Sequence, residues 1–466
     1  MELWERLLKD NFGSAVVDKP KAIKNEIQGL PRYVSEYLLG YFCEDEITEE
    51  GLKETNRYIQ EHRIDSREKE KFKNGLRMDG SLKIIDKFKV KINLGKSKKK
   101  PTQMEIPSLG INDAEVEDRV LREHPRLLID GLWGMGEIAY DYDEKDIKLT
   151  NFKPFQLSEI DIDELKEARE SFTSDQWLNI MISTVGLNYE NYTRREKFII
   201  LSRLIPMVEN NVFMMEFGSP GTGKTYVYEN ISSYSRVISG SQVTGPQLFY
   251  NLNTKQDGLL VQYDVLLFDE IDKIQKSGLQ DDVRTKLYQY LASGKFDRGG
   301  IEKVSECGIM MVGNLPIGGF EKKDLLKNLL HETNTEMAFL DRLAGVVPGW
   351  EIKSIGNPNN AYTKNFGFAA DYFSEILHKL RRVSYQYILN KFDLENASTR
   401  DVQAIEKIVS GMVKLVYPDG NLTDDELEEI VALAVEYRQF VVDQNYRINR
   451  DKTFDKQIQY MIIRDM

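Results

Sequence analysis

The chain has little of what builds disulfide frameworks, metal clusters or membrane spans. Its 466 residues include two cysteines, Cys43 and Cys307, and four histidines. The cysteines lie far apart without CxxC spacing, which excludes a disulfide scaffold and a cysteine zinc site. No apolar run approaches the length of a transmembrane helix, and the first residues lack the basic and then apolar order of a signal peptide. We therefore expect a cytoplasmic protein without a membrane partner.

An excess of positive charge is also missing. The chain has 63 Lys and Arg against 75 Asp and Glu, which gives a formal net charge of -12. This balance argues against a protein that coats nucleic acid over its whole surface, although a local groove can still be basic. The hydrophobic content of 41% and the chain length suffice for about three domains with hydrophobic cores. Local patches therefore decide whether nucleic acid is a partner.

One segment fits the phosphate-binding loop pattern G-x-x-x-x-G-K-[ST] at every constrained position. Its residues are Gly218, Ser219, Pro220, Gly221, Thr222, Gly223, Lys224 and Thr225. Glycines let the backbone curl so that successive N–H groups point at phosphates. Lys224 supplies a positive charge, and Thr225 opens the next helix with a hydroxyl that can ligate Mg²⁺. Because a strand pattern precedes the loop and a helical pattern follows it, we predict that the chain binds a nucleoside triphosphate, ATP or GTP, with Mg²⁺.

Two further strand patterns end in polar residues suited to the same site. The first ends in Asp269 and Glu270. Asp269 can hold Mg²⁺, and Glu270 can activate the attacking water as a general base. The second ends at Asn314, which we expect beside Asp269. In AAA+ ATPases a polar residue there, called sensor 1, places the lytic water, and a plain strand exit is the alternative interpretation.

Two arginines extend the comparison with AAA+ ATPases. Arg342, in the segment at residues 339–343, resembles the arginine finger that a neighbouring subunit inserts against the transition-state charge. Arg400 opens a helix where AAA+ proteins carry the nucleotide-binding residue called sensor 2. The alternatives are a surface arginine for Arg342 and a capping box at Ser398 for the segment around Arg400. If Arg342 is a finger, one subunit cannot form a complete site, and self-assembly is part of the mechanism.

The chain divides into five predicted regions. Helical periodicity near the start gives way to alternation of period two, in which Phe88, Val90 and Ile92 alternate with lysines. Further strand patterns up to residue 157 predict a small β-barrel, and the rest alternates strands with helices to about residue 353 before it becomes helical. We predict a helical region at 1–72, a barrel at 73–158, a helical linker at 159–211, an α/β nucleotide-binding core at 212–355 and a helical lid with a C-terminal tail at 356–466.

Two basic segments are candidate DNA contacts. The turn-rich segment at residues 290–300 resembles the pre-sensor-1 hairpin of MCM-like helicases, in which basic residues grip phosphates and an aromatic ring contacts a base or sugar. A lysine-rich turn in the predicted barrel could neutralise further phosphates. For each segment the alternative is a solvated turn without a partner. The candidates are Lys295, Phe296 and Arg298 in the first segment and Lys96, Lys98, Lys99 and Lys100 in the second.

Taken together, these motifs resemble the Lon-like BrxL family of bacterial BREX phage-defence systems. The resemblance runs over roughly residues 1–450 and rests on residues 33–41, 204–211, 218–225, 291–299 and 408–411. It implies an α/β AAA+ phosphate-loop core with an α-helical lid, and an N-terminal α+β module that contains a small OB-like β-barrel. It also implies an MCM-like ring, a hexamer or a dimer of hexamers, around double-stranded DNA. Other phage-defence proteins are further candidate partners.

Longer members of that family continue into a Lon-protease-like domain. This chain ends at Met466, soon after the predicted lid helix, so we expect an ATP hydrolase without peptidase activity. The leading hypothesis is an AAA+ ATPase ring that encircles duplex DNA as a motor or clamp in defence against phage. The alternative is a nucleotide-switched protein remodeller or assembly scaffold that does not act on DNA.

Overall fold

The computed structural model places most of the chain in two compact units. It describes residues 2–24, 30–43, 48–65, 67–93, 100–128, 131–155, 160–239, 243–253, 255–271, 281–315, 321–330, 336–354 and 358–464. The large unit combines residues 1–20 with 160–466, and the small unit is 21–159. The first twenty residues therefore belong with the large unit and not with the helical region predicted at 1–72. The predicted linker, core and lid likewise share one unit.

Helices make up much of both units. Besides short 3-10 turns, they are α1 (Leu3–Phe12), α2 (Lys19–Lys24), α3 (Arg32–Cys43), α4 (Glu49–His62), α5 (Lys69–Asp79), α6 (Asp118–Glu123), α7 (Ile162–Arg169), α8 (Ser174–Thr184), α9 (Arg194–Ser202), α10 (Ile205–Val208), α11 (Lys224–Asn230), α12 (Gly245–Leu248), α13 (Leu259–Gln262), α14 (Asp281–Ser293), α15 (Leu325–Leu329), α16 (Met337–Leu340), α17 (Pro358–Ala361), α18 (Ala370–Leu380), α19 (Gln386–Leu389), α20 (Thr399–Val416) and α21 (Asp424–Asn449). Within the described residues, none of them combines the length and apolar character needed to cross a bilayer.

The strands form one parallel sheet, one barrel and several two-stranded pairs. They are β1 (Val16–Asp18), β2 (Ser81–Ile92), β3 (Thr102–Ile106), β4 (Ile111–Val116), β5 (Leu132–Asp141), β6 (Asp146–Pro154), β7 (Phe213–Gly218), β8 (Ser235–Ser239), β9 (Tyr250–Asn251), β10 (Gln256–Asp257), β11 (Val265–Asp269), β12 (Lys295–Arg298), β13 (Ile301–Val304), β14 (Gly308–Asn314), β15 (Gly345–Val347), β16 (Phe366–Phe368), β17 (Phe392–Glu395) and β18 (Gln459–Ile462).

The small unit contains the predicted barrel. Its strands close in the order β2-β3-β4-β6-β5. Alternation along β2 sends Ile84 and Phe88 into the barrel core, where both side chains are fully buried. Gly136 on the neighbouring β5 leaves room for the Phe88 ring, because a Cβ at residue 136 would clash with it. The sequence analysis did not identify β4, which carries only two buried residues, Ala114 and Val116.

A five-stranded parallel sheet forms the centre of the large unit. Its order is β15-β7-β14-β11-β8, so the strand before the phosphate loop lies between β15 and β14. Parallel strands share one carboxyl edge, where loops from neighbouring strands meet. The sheet therefore brings the loops after β7, β11 and β14 together, although these strands are far apart in sequence.

The helices of the predicted lid make polar contacts at the opposite, amino edge of the sheet. On α18, the Glu375 carboxylate accepts a hydrogen bond from Tyr234 just before β8 (2.9 Å), and His378 contacts Asp264 just before β11 (2.6 Å). On α20, Lys407 donates to the carbonyl of residue 211, just before β7 (3.0 Å). These contacts support the sheet from the edge that lies away from the phosphate loop.

The last hundred residues also contain strands that the sequence analysis did not predict. β17 pairs with β18 in antiparallel register, and β16 pairs with β1 from the start of the chain. The strand segments are three or four residues long and stand among long helical patterns. A period-two signal over so few residues is too short to detect against them.

We predict that Gly136→Ala destabilises the barrel by about 1–3 kcal/mol, because the added methyl group overlaps the Phe88 ring. Amide hydrogen exchange of β2 and β5 in the intact protein measures the effect on the small unit alone. The matched control is Gly40→Ala in α3, where a Cβ meets no atom within 4 Å and alanine favours the helix. Equal protection of the barrel strands in both variants would contradict the prediction.

Candidate functional site

The phosphate loop joins the end of β7 to the start of α11. Gly221 and Gly223 have φ angles of 74° and 77°, which is the left-handed region that glycine adopts without strain. Gly218 is required for another reason, since a Cβ there would lie 2.6 Å from the carbonyl oxygen of Gly349. The glycines predicted from the pattern therefore meet separate requirements of the backbone.

The side chain of Lys224 folds back over the loop. Its Nζ donates to the carbonyl oxygens of Gly218 (3.0 Å) and Ser219 (2.8 Å) and to Oδ1 of Asn314 (3.3 Å). Asn314 ends β14 directly opposite Gly218 in the sheet register. The lysine of the loop and the polar residue predicted as sensor 1 are therefore in direct contact.

The predicted magnesium ligands also lie together. Oγ1 of Thr225 donates to Oδ2 of Asp269 over 2.8 Å. A hydroxyl and a carboxylate oxygen at the start of a helix are hard oxygen ligands of the kind that Mg²⁺ takes beside phosphates. Glu229, one turn further along α11, has its pKa raised by burial and by the nearby Asp269 carboxylate. The donor set thus fits Mg²⁺, with a third carboxylate close by that the sequence analysis missed.

Glu270 follows β11 in an unusual backbone conformation. Its φ angle of 55° is uncommon for a residue with a side chain, and its N–H donates to Oδ1 of Asp269 over 2.7 Å. Strained backbone of this kind clusters at functional sites. Glu270 is thus set at the carboxyl edge of the sheet, beside the Thr225–Asp269 pair.

A buried ion pair packs against the phosphate loop and bonds to its backbone. Arg203 and Glu216 are both fully buried, with Nη2 to Oε1 at 2.7 Å and Nε to Oε2 at 2.9 Å. The same guanidinium donates from Nη1 to the carbonyl oxygen of Thr222, in the middle of the loop, over 3.0 Å. The hydroxyl of Tyr228 on α11 donates to the carbonyl oxygen of Arg203. One arginine therefore ties together the strand before the loop, the loop and the helix after it.

Comparison with known proteins identifies the family. The family model "Lon-like protease BrxL-like, ATPase domain" matches residues 147–459, which include this whole site. The chain belongs to the BrxL family. A second model of that family, "BREX system Lon protease-like protein BrxL N-terminal", matches residues 10–140. The resemblance seen in the motifs is thereby confirmed.

Individual relatives cover nearly the whole chain. The chain is 34% identical to the Lon-like protease BrxL of Escherichia coli O9:H4 (strain HS), over 98% of this chain and 67% of the relative. It is 31% identical to the Lon-like protease BrxL of Bacillus cereus (strain H3081.97), over 97% of this chain and 68% of the relative. A crystal structure of a full-length MCM homolog from Methanopyrus kandleri is similar at a TM-score of 0.44 and 11% identity, with 78% of each chain covered. That similarity is too low to carry an argument.

Within this BrxL-family chain, Arg342 lies far from the phosphate loop of its own subunit. It precedes β15, and the next residue but one, Ala344, donates to the carbonyl oxygen of Phe213 at the start of β7. The phosphate loop begins at the other end of β7, about 16 Å further along the strand. Nε of Arg342 is buried without a hydrogen-bond partner in the described part of the chain, and burial lowers the pKa of its guanidinium.

Arg400 lies beside Arg342 and not beside the phosphate loop. Its guanidinium contacts the carboxylate of Asp341, and α20 begins with the capping box in which the backbone N–H of Ser398 donates to Oδ2 of Asp401 over 2.7 Å. Within its own subunit Arg400 is therefore held at Asp341, away from the phosphate loop, and its predicted role in nucleotide binding stays a prediction. The alternative interpretation, a capping box at Ser398, is confirmed, but a capping pattern does not tell which edge of the sheet a lid helix packs against.

A second buried arginine holds together the segments that carry Arg342 and Arg400. Arg438 of α21 is fully buried and bonds to Oδ1 of Asp401 (2.8 Å) and to Oδ1 of Asp341 (3.2 Å). Burial raises the pKa of Asp401, but Arg438 and Lys456 outweigh it and hold that pKa at about 2. Asp401 therefore stays charged at neutral pH, and Arg438 holds α20 and α21 against the segment that carries Arg342.

The predicted DNA hairpin forms, but its aromatic residue points inward. β12 and β13 pair across a turn at Gly299 and Gly300, both with positive φ. Phe296 is fully buried, with its ring centroid 5.2 Å from that of Phe249, so the prediction that it contacts a base is wrong for this structure. Side chains alternate along β12, which leaves Lys295 half exposed and 3.4 Å from Glu302. Arg298 lies on the Phe296 face and is half-buried.

The lysine-rich turn of the barrel is described only at its last residue. Lys96, Lys98 and Lys99 lie outside the described residues. Lys100 forms an ion pair with Asp146, so one of the four predicted positive charges is compensated within the barrel.

We predict that Arg203→Met destabilises the large unit by about 3–5 kcal/mol, because the Glu216 carboxylate is left buried without its partner. The double variant Arg203→Met with Glu216→Leu removes both charges and should recover most of that stability. It should not recover ATP affinity, because the Thr222 carbonyl still lacks its donor and the loop is unsupported. Urea unfolding and titration with a fluorescent ATP analogue separate the two effects, and normal ATP affinity in the double variant would contradict the loop-supporting role.

Proposed function

We propose that the chain is an ATP-hydrolysing subunit of a ring that encircles double-stranded DNA, as a motor or clamp in anti-phage defence. The observation that carries the proposal is the separation of two half-sites within one subunit. One edge of the sheet holds the phosphate loop with Asp269, Glu270 and Asn314, and the other presents Arg342 and Arg400. A ring in which the second edge of each subunit faces the first edge of the next would complete every site.

The residues of the first half-site have separate roles in the proposed reaction. The loop N–H groups and Lys224 bind the β- and γ-phosphates, and the contacts of Lys224 to loop carbonyls give way to phosphate oxygens. Thr225 and Asp269 would hold Mg²⁺, which supplies charge neutralisation on the phosphates. Glu270 takes a proton from the attacking water, and Asn314 orients that water.

The residues of the second half-site act on the neighbouring subunit. Arg342 neutralises charge that develops on the transferred phosphoryl group. Its buried Nε lacks a partner within the described residues, as expected for a group that is completed by another molecule. Arg400 stands beside it on the same edge, so we assign Arg400 to the nucleotide of the neighbouring subunit as well.

Duplex DNA as the partner rests on the family and on one basic residue of the hairpin that remains accessible. Lys295 is half exposed at the start of the hairpin, and the family model that matches residues 10–140 carries the BREX system in its name. The buried Phe296 and the paired Lys100 favour the second candidate function, a nucleotide-switched remodeller or assembly scaffold that does not act on DNA. The two functions differ in whether rings take up DNA.

We predict that Glu270→Gln slows ATP hydrolysis by about 10²–10⁴-fold while ATP affinity is kept, because the general base is lost and the phosphate contacts remain. Electron microscopy and light scattering of this variant with ATP should then show rings, and rings threaded by DNA when a duplex is added. Rings that ignore the duplex would favour the remodeller, and persistent monomers would contradict both functions. Unchanged turnover would remove Glu270 from its assigned role.

We predict that Arg342→Gln and Arg400→Gln each lower ATP hydrolysis, with a loss of about a thousandfold or more for Arg342→Gln. Each should regain activity when assembled with Lys224→Ala subunits, since about a quarter of the interfaces in a random mixture then combine an intact loop with intact arginines. A mixture of the two arginine variants should stay inactive, because both arginines come from the same subunit edge. The opposite pattern would place Arg400 in its own subunit's site. In that pattern the mixture of Arg342→Gln with Arg400→Gln regains activity, and the mixture of Arg400→Gln with Lys224→Ala does not.

A further inference from the structure

The small unit carries a cleft that the nucleotide site does not use. It lies between the end of α4 and the outer face of the barrel and has a volume of about 300 Å³. That volume is at the lower end of the range of small-ligand sites in proteins. Its lining residues are Tyr58, His62, Lys83, Met135, Glu137, Asn151 and Lys153.

Three neighbouring strands of the barrel form the floor of the cleft. On β2, β5 and β6 the residues Lys83, Glu137 and Asn151 lie opposite one another in register. The next row on the same face ends in Lys153. Since side chains alternate along a strand and Ile84 points into the barrel core, these polar residues face outward. The floor therefore offers two ammonium groups, a carboxylate and an amide within a small area.

Aromatic rings form the wall. The ring centroids of Tyr58 and His62, one turn apart on α4, are 4.7 Å from each other. His62 bonds through Nδ1 to the carbonyl oxygen of Tyr58 over 2.8 Å, and because a carbonyl oxygen only accepts, Nδ1 is the donor. Burial raises the pKa of Tyr58, which stays a neutral phenol. At the rim, the ammonium group of Lys153 lies 4.0 Å from the ring centroid of Tyr41, and Tyr41 is 58% exposed.

We propose that this cleft binds an unpaired nucleotide of a single-stranded nucleic acid, with the base against Tyr58 and His62 and the flanking phosphates at Lys83 and Lys153. Aromatic faces combined with lysines are the groups with which proteins hold single strands. A free inorganic anion fits less well, because the Glu137 carboxylate would repel it. A base instead has N–H donors and ring acceptors that Glu137 and Asn151 can match. The proposal goes beyond encirclement of a duplex, since it needs an unpaired base and neither ATP nor a ring.

Two labelled probes of equal length test the stacking part by fluorescence anisotropy on the full chain without ATP. One is oligothymidine, and the other is the same sugar-phosphate chain without bases. The base-containing strand should bind more tightly, and Tyr58→Leu should weaken it about tenfold. Tyr58→Phe keeps the ring and should bind normally, which guards against a folding defect. The matched control is Tyr142→Leu, an exposed tyrosine elsewhere on the barrel.

The double variant Lys83→Gln with Lys153→Gln tests the phosphate part. The slope of log affinity against log salt should fall by about 1.4, since two phosphate contacts to a single strand are lost. Lys71→Gln with Lys145→Gln, two exposed lysines of the small unit outside the cleft, should leave the slope unchanged. Oligouridine in place of oligothymidine tells whether the strand is RNA or DNA, and tight binding of either supports the proposal.

Equal binding of the two probes, or equal losses in the cleft variants and their controls, would overturn the proposal. ATP hydrolysis of the cleft variants should match that of the unaltered protein. The probe-binding measurement needs no ATP. Its result therefore stays valid even if ATP-dependent rings fail to take up duplex DNA. Conversely, the protein could form rings threaded by duplex DNA and yet bind the two probes equally. That result would support the proposed function and contradict nucleotide binding in the cleft.

Discussion

The buried ion pair between Arg203 and Glu216 is the constraint on which the nucleotide site depends. Its two charges lie in a fully buried position, where an unpaired charge would cost several kcal/mol. The remaining donors of Arg203 bond to the loop at Thr222, and its own carbonyl accepts from Tyr228 on α11. The loop backbone is therefore fixed before any ligand arrives, so binding a triphosphate does not have to order it first.

A second buried arginine organises the other edge of the sheet in the same manner. Arg438 bonds to carboxylates from two segments, Asp341 and Asp401, and so joins the C-terminal helices to the stretch that carries Arg342. Arg400 contacts Asp341 as well. Asp341, which Arg438 holds in place, therefore fixes the positions of both Arg342 and Arg400. A shift of α20 or α21 would therefore move both arginines together, which suits a part that has to meet a neighbouring subunit in one fixed geometry.

The small unit is built on a different principle. Its barrel strands turn alternate side chains into the core, and some of the side chains that point outward line the cleft beside α4. Charged and aromatic groups reach that cleft from helix and strands alike. The cleft is thus formed by residues of the small unit alone and uses none of the residues of the nucleotide site.

The sequence by itself determined the site residues that belong to short motifs of fixed spacing. A loop that cradles phosphate needs glycines and a lysine at fixed spacing, and a magnesium carboxylate follows an apolar strand. These patterns assigned 218–225, Asp269, Glu270 and Asn314 to one site, and the structure brings them close together. The sequence analysis missed the ion pair below the loop. The charge of Glu216 within an apolar strand indicates a buried partner, but nothing in the order of residues identifies Arg203 as that partner.

Only the tertiary structure decided which edge of the sheet each arginine occupies and which way each hairpin residue points. Arg400 opens a well-capped helix in any fold, yet the packing of α20 places it beside Asp341. Phe296 alternates with Lys295, and only the docking of the hairpin on Phe249 determines which of the two faces is buried. These outcomes depend on contacts between segments that are distant in sequence, and a local pattern carries no information about such contacts.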